Sequence, residues 1–209
     1  MSIKYSENGN AAIITLNRPN NLNALNYEMI ISIEECLKNI NKNKNIKLVI
    51  FKGEGDKAFC AGGDVKSFYE EKLTNINKLR KNFFYREYKL NYLIKKYKKP
   101  IISFVNGICM GGGVGIAMHS SIVVVSENVK FAMPECTIGL FPDVGSSNFL
   151  SKLKSNIGLY IALTGKRLVS GDLIELGLAN YCVSRNNFKS LEKRLINIKN
   201  MRSIHKIID

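Results

Sequence analysis

Short apolar runs alternate with polar segments over most of the chain. Six of these runs are rich in β-branched residues and end in turn-forming residues, a pattern that predicts buried strands. They cover 11–16, 46–51, 101–105, 122–125, 129–132 and 181–183. The first run, AAIITL, ends at the turn sequence NRPN, and the second, IKLVIF, is closed by a GEG turn.

Apolar residues at helical spacing predict helices between these strands. The first helix covers 27–39, and Asn26 stands where a side chain can cap it. The other predicted helices cover 65–96 (ended by Pro100), 145–153, 157–163, 171–178 (capped by Ser170) and 188–200. A strand–helix–strand order predicts parallel strands joined by crossover helices, and therefore an α/β fold. We expect a single domain over 1–209, with its core at about 5–184 and a short basic helical tail at 185–209.

Two glycine-rich stretches follow predicted strands. Ala58–Asp64 (AFCAGGD) is predicted to be a loop, and Met110–Gly115 (MGGGVG) opens a short helix. Backbone N–H groups left unpaired where a strand enters a helix can hold a phosphate or a developing oxyanion. The alternative is that the glycines only permit a tight turn and close packing. The nucleotide-binding patterns GxGxxG and GxxxxGK[ST] and the serine elbow GxSxG are not matched.

Two carboxylic acids each follow a proline in apolar sequence surroundings. They are Glu135, after Pro134, and Asp143, after Pro142. A carboxylate that loses solvation there has a raised pKa and is a better general base near neutral pH. The alternative is a structural role, in which Asp143 caps the helix beginning near Gly145 and Glu135 meets a backbone donor.

Composition narrows the function classes. The chain has 209 residues, 45% hydrophobic and 23% charged, which is ordinary for a soluble globular protein. No apolar run approaches the ~18 residues of a membrane span, and the N-terminus lacks a secretory or organelle presequence pattern. Five scattered cysteines and two distant histidines, His119 and His205, predict reduced intracellular thiols and no metal site. The net charge of +14 either attracts a polyanion or reflects lysine-rich solvated faces.

Several ordered motifs resemble the crotonase (enoyl-CoA hydratase/isomerase) superfamily, and within it the 3-hydroxyisobutyryl-CoA hydrolases. The resemblance extends from about Tyr5 to Val183 and implies a fold of repeated ββα turns. The segments that carry it are LNRP with LNALN at 16–26, KAFCAGGD at 57–64, FYREYKLN at 84–91, MGGGVG at 110–115, FAMPE at 131–135, IGLFPDVG at 138–145 and ALTG at 162–165.

The resemblance also implies roles for individual residues. The N–H groups of Ala61 and Gly112 would form an oxyanion hole around a thioester carbonyl. Glu135 would activate water or attack the carbonyl directly, and Asp143 would bind a substrate hydroxyl and assist proton transfer. Substrate contacts fall on Glu87, Gly62, Gly63, Asp64 and Gly111. No separate cofactor is implied, because coenzyme A is part of the substrate.

The choice among activities depends on Gly115. Hydratases similar to this chain carry a glutamate at that position, whereas the hydrolase pattern combines Glu135 with Asp143, so hydrolysis of a short branched hydroxyacyl-CoA is favoured. The alternatives are a hydratase or isomerase of the same fold, or a truncated, non-catalytic CoA- or RNA-binding homologue. The resemblance further implies an acyl-CoA ligand, a possible homo-oligomer, and valine breakdown in mitochondria, with the cytoplasm as the alternative location. No membrane partner is expected, and the sequence has no aromatic-basic RNA motif, although the charge of +14 leaves nucleic-acid binding open. The resemblance also implies that a C-terminal helical region is truncated here.

Overall fold

A six-stranded sheet forms the centre of the protein, which a computed structural model describes at residues 1–67, 69, 79–198 and 200–208. Its strands are β1 (Ile3–Asn8), β2 (Ala11–Leu16), β3 (Leu48–Gly53), β5 (Ile101–Val105), β7 (Ile122–Val125) and β9 (Tyr181–Cys182). They lie in the order β1-β2-β3-β5-β7-β9, with β1 antiparallel to β2 and all other neighbours parallel. The sequence predicted all of these except β1, whose polar residues are mostly exposed.

A second sheet contains three short parallel strands, β4 (Ala58–Cys60), β6 (Ile108–Met110) and β8 (Lys130–Ala132). Each consecutive pair, β3–β4, β5–β6 and β7–β8, sends its first strand to the large sheet and its second to the small one. A helical segment follows each pair, so the ββα repeat of the crotonase-like α/β fold is confirmed. The prediction of a loop over 58–64 was wrong at its first three residues, because buried Ala58–Cys60 pair with β6.

Helices follow the strands at α1 (Tyr27–Lys42), α2 (Tyr85–Lys95), α3 (Gly112–Met118), α4 (Ser147–Leu150), α5 (Ile157–Thr164), α6 (Ser170–Glu175), α7 (Phe188–Ile196) and α8 (Ile204–Ile208). Asn26 caps α1 as predicted, since its Oδ1 accepts a hydrogen bond from the Met29 N–H at 2.9 Å. Ser170 is not a cap but the first residue of α6, and the Asp172 carboxylate accepts the Val169 N–H at 2.9 Å instead. None of the helices among the described residues has the length and apolar character needed to cross a bilayer.

The long helix predicted over 65–96 is only partly covered by the described residues. A π-helical segment, Leu79–Phe84, continues directly into α2, while 68 and 70–78 lie outside the described residues. The helix predicted over 145–153 shortens to α4. The continuation of the π-helical segment into α2 places Glu87 in the first turn of a regular helix.

The two faces of the large sheet are covered by different elements. Alternate residues along a strand point to opposite faces, so Ile14 and Phe51 pack with α1 and the small sheet, while Ile13 and Ile50 face α7 and α8. The rings of Phe104 and Phe188 lie 5.1 Å apart on this second face. The segment predicted as a tail therefore supplies nearly half of the second core, through the buried residues Phe188, Leu191, Leu195, Ile198, Ile204 and Ile208.

Candidate active site

The segment between β2 and α1 forms a platform that holds the first glycine loop. The buried Asn23 side chain donates to the Ala58 carbonyl at 2.8 Å and accepts the Arg18 N–H at 2.9 Å. The Arg18 guanidinium donates to the Asp64 carboxylate at 2.7 Å. The Leu25 N–H donates to Gly62 O at 2.7 Å, and Leu25 O accepts from the Asp64 N–H at 2.9 Å. The LNRP and LNALN motifs thus fix the position of this loop.

The platform also determines which loop N–H groups are available to a ligand. The Ala61 N–H donates to Leu22 O at 3.0 Å, so its assignment to an oxyanion hole is corrected: this donor already has an acceptor. Because Gly62 O and the Asp64 N–H both point to Leu25, the intervening Gly63 N–H points away from the platform. Among the described residues, the Gly63 N–H has no hydrogen-bond acceptor.

The second glycine stretch begins α3. Gly111 has a φ of 48° and a ψ of −119°, a conformation that favours glycine and that turns the chain from β6 into the helix. The Gly112 N–H is the first of α3 and has no acceptor within the described part of the chain. A Cβ atom built at Gly62 would lie 3.7 Å from the Gly112 nitrogen, so the two glycine loops are in contact.

A cavity of about 290 Å³ lies between these loops. It is lined by eight of the predicted residues, Ala61, Gly62, Gly63, Glu87, Gly111, Gly112, Glu135 and Asp143. Its apolar wall is formed by Val65, Phe83, Phe84, Pro134, Ile138 and Leu140, with Gly139 completing the rim. Asp64 does not line the cavity, because its carboxylate pairs with Arg18 and holds the loop in place.

Glu135 lies at the start of a 3-10 turn, Glu135–Ile138, directly after β8 and Pro134. Only 6% of its surface is exposed, and its Oε2 has no hydrogen-bond partner among the described residues. Burial raises the pKa of Glu135 to about 7, and the neighbouring Asp143 carboxyl contributes to this rise. A hydrogen bond from the backbone N–H of Glu135 acts in the opposite direction and lowers the pKa. The group therefore titrates in the range that suits a general base at neutral pH.

Glu87 is a buried acid supplied by α2. It is 3% exposed, and its Oε1 lacks a hydrogen-bond partner within the described residues. A Cβ atom built at Gly112 would overlap this Oε1, so the carboxyl lies directly against the start of α3. Burial, with the carboxyls of Asp143 and Glu135 nearby, raises the pKa of Glu87 well above its usual value. These conditions favour a neutral carboxylic acid that can donate a hydrogen bond.

Asp143 follows the 3-10 turn and is half-buried. Its side chain does not cap α4, because the described residues show no side-chain hydrogen bond at the start of that helix. The Ser146 N–H donates to the backbone carbonyl of Asp143. The carboxylate instead accepts a 2.6 Å hydrogen bond from the hydroxyl of Tyr88. Burial raises the pKa of Asp143, and the bond from Tyr88 opposes that rise. Sequence reasoning missed Tyr88, although it directly follows Glu87 in the FYREYKLN motif.

Glu135→Gln should make the folded protein more stable at alkaline pH. The pKa of Glu135 is about 7 in the folded state, against a usual value of 4.5, so the folded state binds more protons than the unfolded state between these values. Stability of the wild type therefore falls as the pH rises from 4.5 to 7, and glutamine removes this loss. Thermal unfolding of both proteins at about pH 5 and about pH 8 measures it. The same pH dependence in both would contradict the burial of this acid.

Comparison with known proteins agrees with this geometry. The model of the enoyl-CoA hydratase/isomerase family matches residues 11–209. The chain belongs to this family. The mitochondrial 3-hydroxyisobutyryl-CoA hydrolase of Danio rerio is 46% identical over 197 residues, which cover 94% of this chain and 51% of that protein. The 3-hydroxyisobutyryl-CoA hydrolase 1 of Arabidopsis thaliana is 42% identical over 196 residues, covering 94% and 52%.

A solved enoyl-CoA hydratase from Rhodobacter sphaeroides has the same fold, with a TM-score of 0.91 at 34% identity, over 96% of this chain and 60% of that one. The chain spans about half the length of the curated relatives it matches. The comparisons thus establish the family and the fold.

The surroundings of Gly115 distinguish this site from the two-acid site implied for hydratases of the family, which carry a glutamate at this position. A Cβ atom at Gly115 would lie 2.8 Å from the Val144 Cβ atom and 3.0 Å from both ends of the Asn91 amide. Val144 is held there with a positive φ of 44°, and its carbonyl contacts Nε2 of the buried His119 at 2.8 Å. An acidic side chain at position 115 would displace the turn that carries Asp143.

Proposed function

We propose that the chain hydrolyses the thioester bond of a short branched hydroxyacyl-CoA of the 3-hydroxyisobutyryl-CoA type. The observation that carries the proposal is that Glu135 and Asp143 line the same cavity as Gly112, whose N–H has no acceptor among the described residues. At Gly115, in addition, the side chain of a second hydratase acid would collide with Val144 and Asn91. The names of the relatives support the same substrate class.

The cavity suits an acyl group rather than a whole coenzyme A. Its volume of about 290 Å³ is at the lower end for small-molecule sites, which hold roughly 300–1,000 Å³. Apolar side chains such as Ile138 and Leu140 would receive the branched carbons, and the carboxyls of Asp143 and Glu87 would bind the hydroxyl. Coenzyme A enters as part of the substrate, so the proposal includes no separate cofactor.

The proposed mechanism places the thioester carbonyl oxygen between the N–H groups of Gly63 and Gly112. These donors stabilise the negative charge that develops on that oxygen. The Glu135 carboxylate removes a proton from water as the water attacks, or attacks the carbonyl carbon itself to give a mixed anhydride that water then cleaves. Collapse of the tetrahedral intermediate breaks the C–S bond, and the coenzyme A thiolate leaves and takes up a proton.

The names of the relatives support a proposal about the cellular setting. Those from animals are mitochondrial 3-hydroxyisobutyryl-CoA hydrolases, so we propose a mitochondrial location and a role in valine breakdown. Homo-oligomer formation and the lack of nucleic-acid binding remain predictions.

The proposal is tested by thiol release from a panel of acyl-CoAs. We expect 3-hydroxyisobutyryl-CoA to be hydrolysed about 5- to 150-fold faster than isobutyryl-CoA, because the analogue without the hydroxyl leaves buried carboxyl groups unpaired. Crotonyl-CoA tests for hydration, and a sample without substrate corrects for the free cysteines of the protein. Hydration of crotonyl-CoA without thiol release would overturn the proposal. So would steeply salt-dependent RNA binding without thiol release.

A further inference from the structure

The hydroxyl of Tyr88 joins α2 to the turn that carries Asp143. It donates to Oδ2 of Asp143, and the 2.6 Å distance is in the range of a charge-assisted O–H···O⁻ bond. Among the described residues, no other side chain hydrogen-bonds to this carboxyl. One turn of α2 therefore supplies two polar groups to the site, the buried carboxyl of Glu87 and the hydroxyl of Tyr88.

The Asp143 carboxylate needs such a support for two reasons. The residue after it, Val144, is β-branched and has a φ of 44°, so the turn adopts a conformation that such residues rarely take. The Asp143 carboxyl also lies close enough to Glu87 and Glu135 to raise the pKa of both acids. Burial of Asp143 favours the protonated form of its carboxyl, while a hydrogen bond donated by Tyr88 favours its anion.

We propose that Tyr88 is a positioning residue that holds the Asp143 carboxylate in one orientation and keeps it ionised beside the other two acids. The proposal rests on the proposed thioester hydrolysis for its effect on rate, but not for its effect on Asp143. The hydroxyl itself keeps its proton, because burial and the bond to Asp143 raise the pKa of Tyr88. It acts through Asp143 and does not line the cavity.

The ring of Tyr88 also has a packing role, which the test must separate from that of the hydroxyl. Its ring lies 6.2 Å from that of Phe84, a residue of the cavity wall. Tyr88→Phe keeps this contact and removes only the hydrogen bond. Tyr92→Phe is the matched control, because Tyr92 lies one turn further along α2, is 66% exposed and has no hydrogen bond from its side chain among the described residues.

Two measurements on Tyr88→Phe test the proposal. The first is carboxyl ¹³C NMR across a pH titration, with the Asp143 signal identified from Asp143→Asn; the Asp143 midpoint should move to higher pH. The second is thiol release from 3-hydroxyisobutyryl-CoA, where kcat should fall about 10- to 100-fold with KM changed much less. Tyr92→Phe should match the wild type in both, and Tm should change little in either variant.

The outcomes separate this proposal from the proposed function. An unchanged Asp143 titration in folded Tyr88→Phe overturns the positioning role, whatever the rate. A lower rate with an unchanged titration overturns it too, because packing alone then accounts for the loss. If the wild type releases no thiol from any acyl-CoA, the proposed function fails, while the NMR titration still decides whether Tyr88 holds the Asp143 anion.

Discussion

Glu135→Gln should lower kcat for thioester hydrolysis by about 10²–10⁴-fold, the usual contribution of a positioned general base. Glutamine has nearly the shape of glutamate but can neither accept a proton from water nor attack a carbonyl. Because glutamine fills the same place beside Gly111 in the cavity lining, the acyl group should still bind, and KM should stay within about 3-fold of the wild-type value. Steady-state thiol release measures both constants.

The pH dependence gives an independent readout of the same residue. The pKa of Glu135 is raised to about 7, and only its anion acts as a base, so wild-type kcat/KM should rise with pH to a plateau above about 7. The residual activity of Glu135→Gln should lack this rise. Glu175→Gln is the matched control, since Glu175 is an exposed residue of α6 away from the cavity. Full activity in Glu135→Gln would remove Glu135 from the mechanism.

Much of the fold could be predicted from the sequence because its signals are local. Runs such as AAIITL are buried on both faces, which requires continuous apolar sequence, and Asn26 meets an N–H only three residues away. Two strands of the small sheet gave no such signal. Ala58–Cys60 and Ile108–Met110 are only three residues long and are strands because they pair with each other, far apart in sequence.

The site was predicted as a set of residues but not as a geometry. The sequence locates Glu135 and Asp143, whereas the partner of Asp143 is Tyr88, 55 positions away in the chain. The proposed oxyanion donors illustrate the same limit. Ala61, Gly62 and Gly63 are consecutive, and which N–H faces the cavity depends on the pairing of this loop with Leu22 and Leu25. A pattern of glycines cannot contain that information, because it is set by long-range contacts.

Gly113→Ala should destabilise the protein by about 3 kcal/mol or more and lower Tm by roughly 6–12 °C. A Cβ atom at Gly113 would overlap the carbonyl oxygen of Cys60 and lie 2.8 Å from its Cβ atom. Both belong to β4, which is paired with β6 and fully buried, so no flexible side chain can move aside. The collision can be relieved only by moving α3 away from the small sheet. Thermal unfolding with and without denaturant measures the loss.

Gly171→Ala provides the control for a glycine-to-alanine change in a helix of the same protein. Gly171 is the second residue of α6, and among the described residues no atom lies within 4 Å of a Cβ atom built there. Alanine should therefore leave stability unchanged or raise it by under about 1 kcal/mol. Equal stability of the two variants would show that α3 has room beside β4. Because the Gly112 N–H moves with α3, any folded fraction of Gly113→Ala should also lose thioesterase activity, while Gly171→Ala retains it.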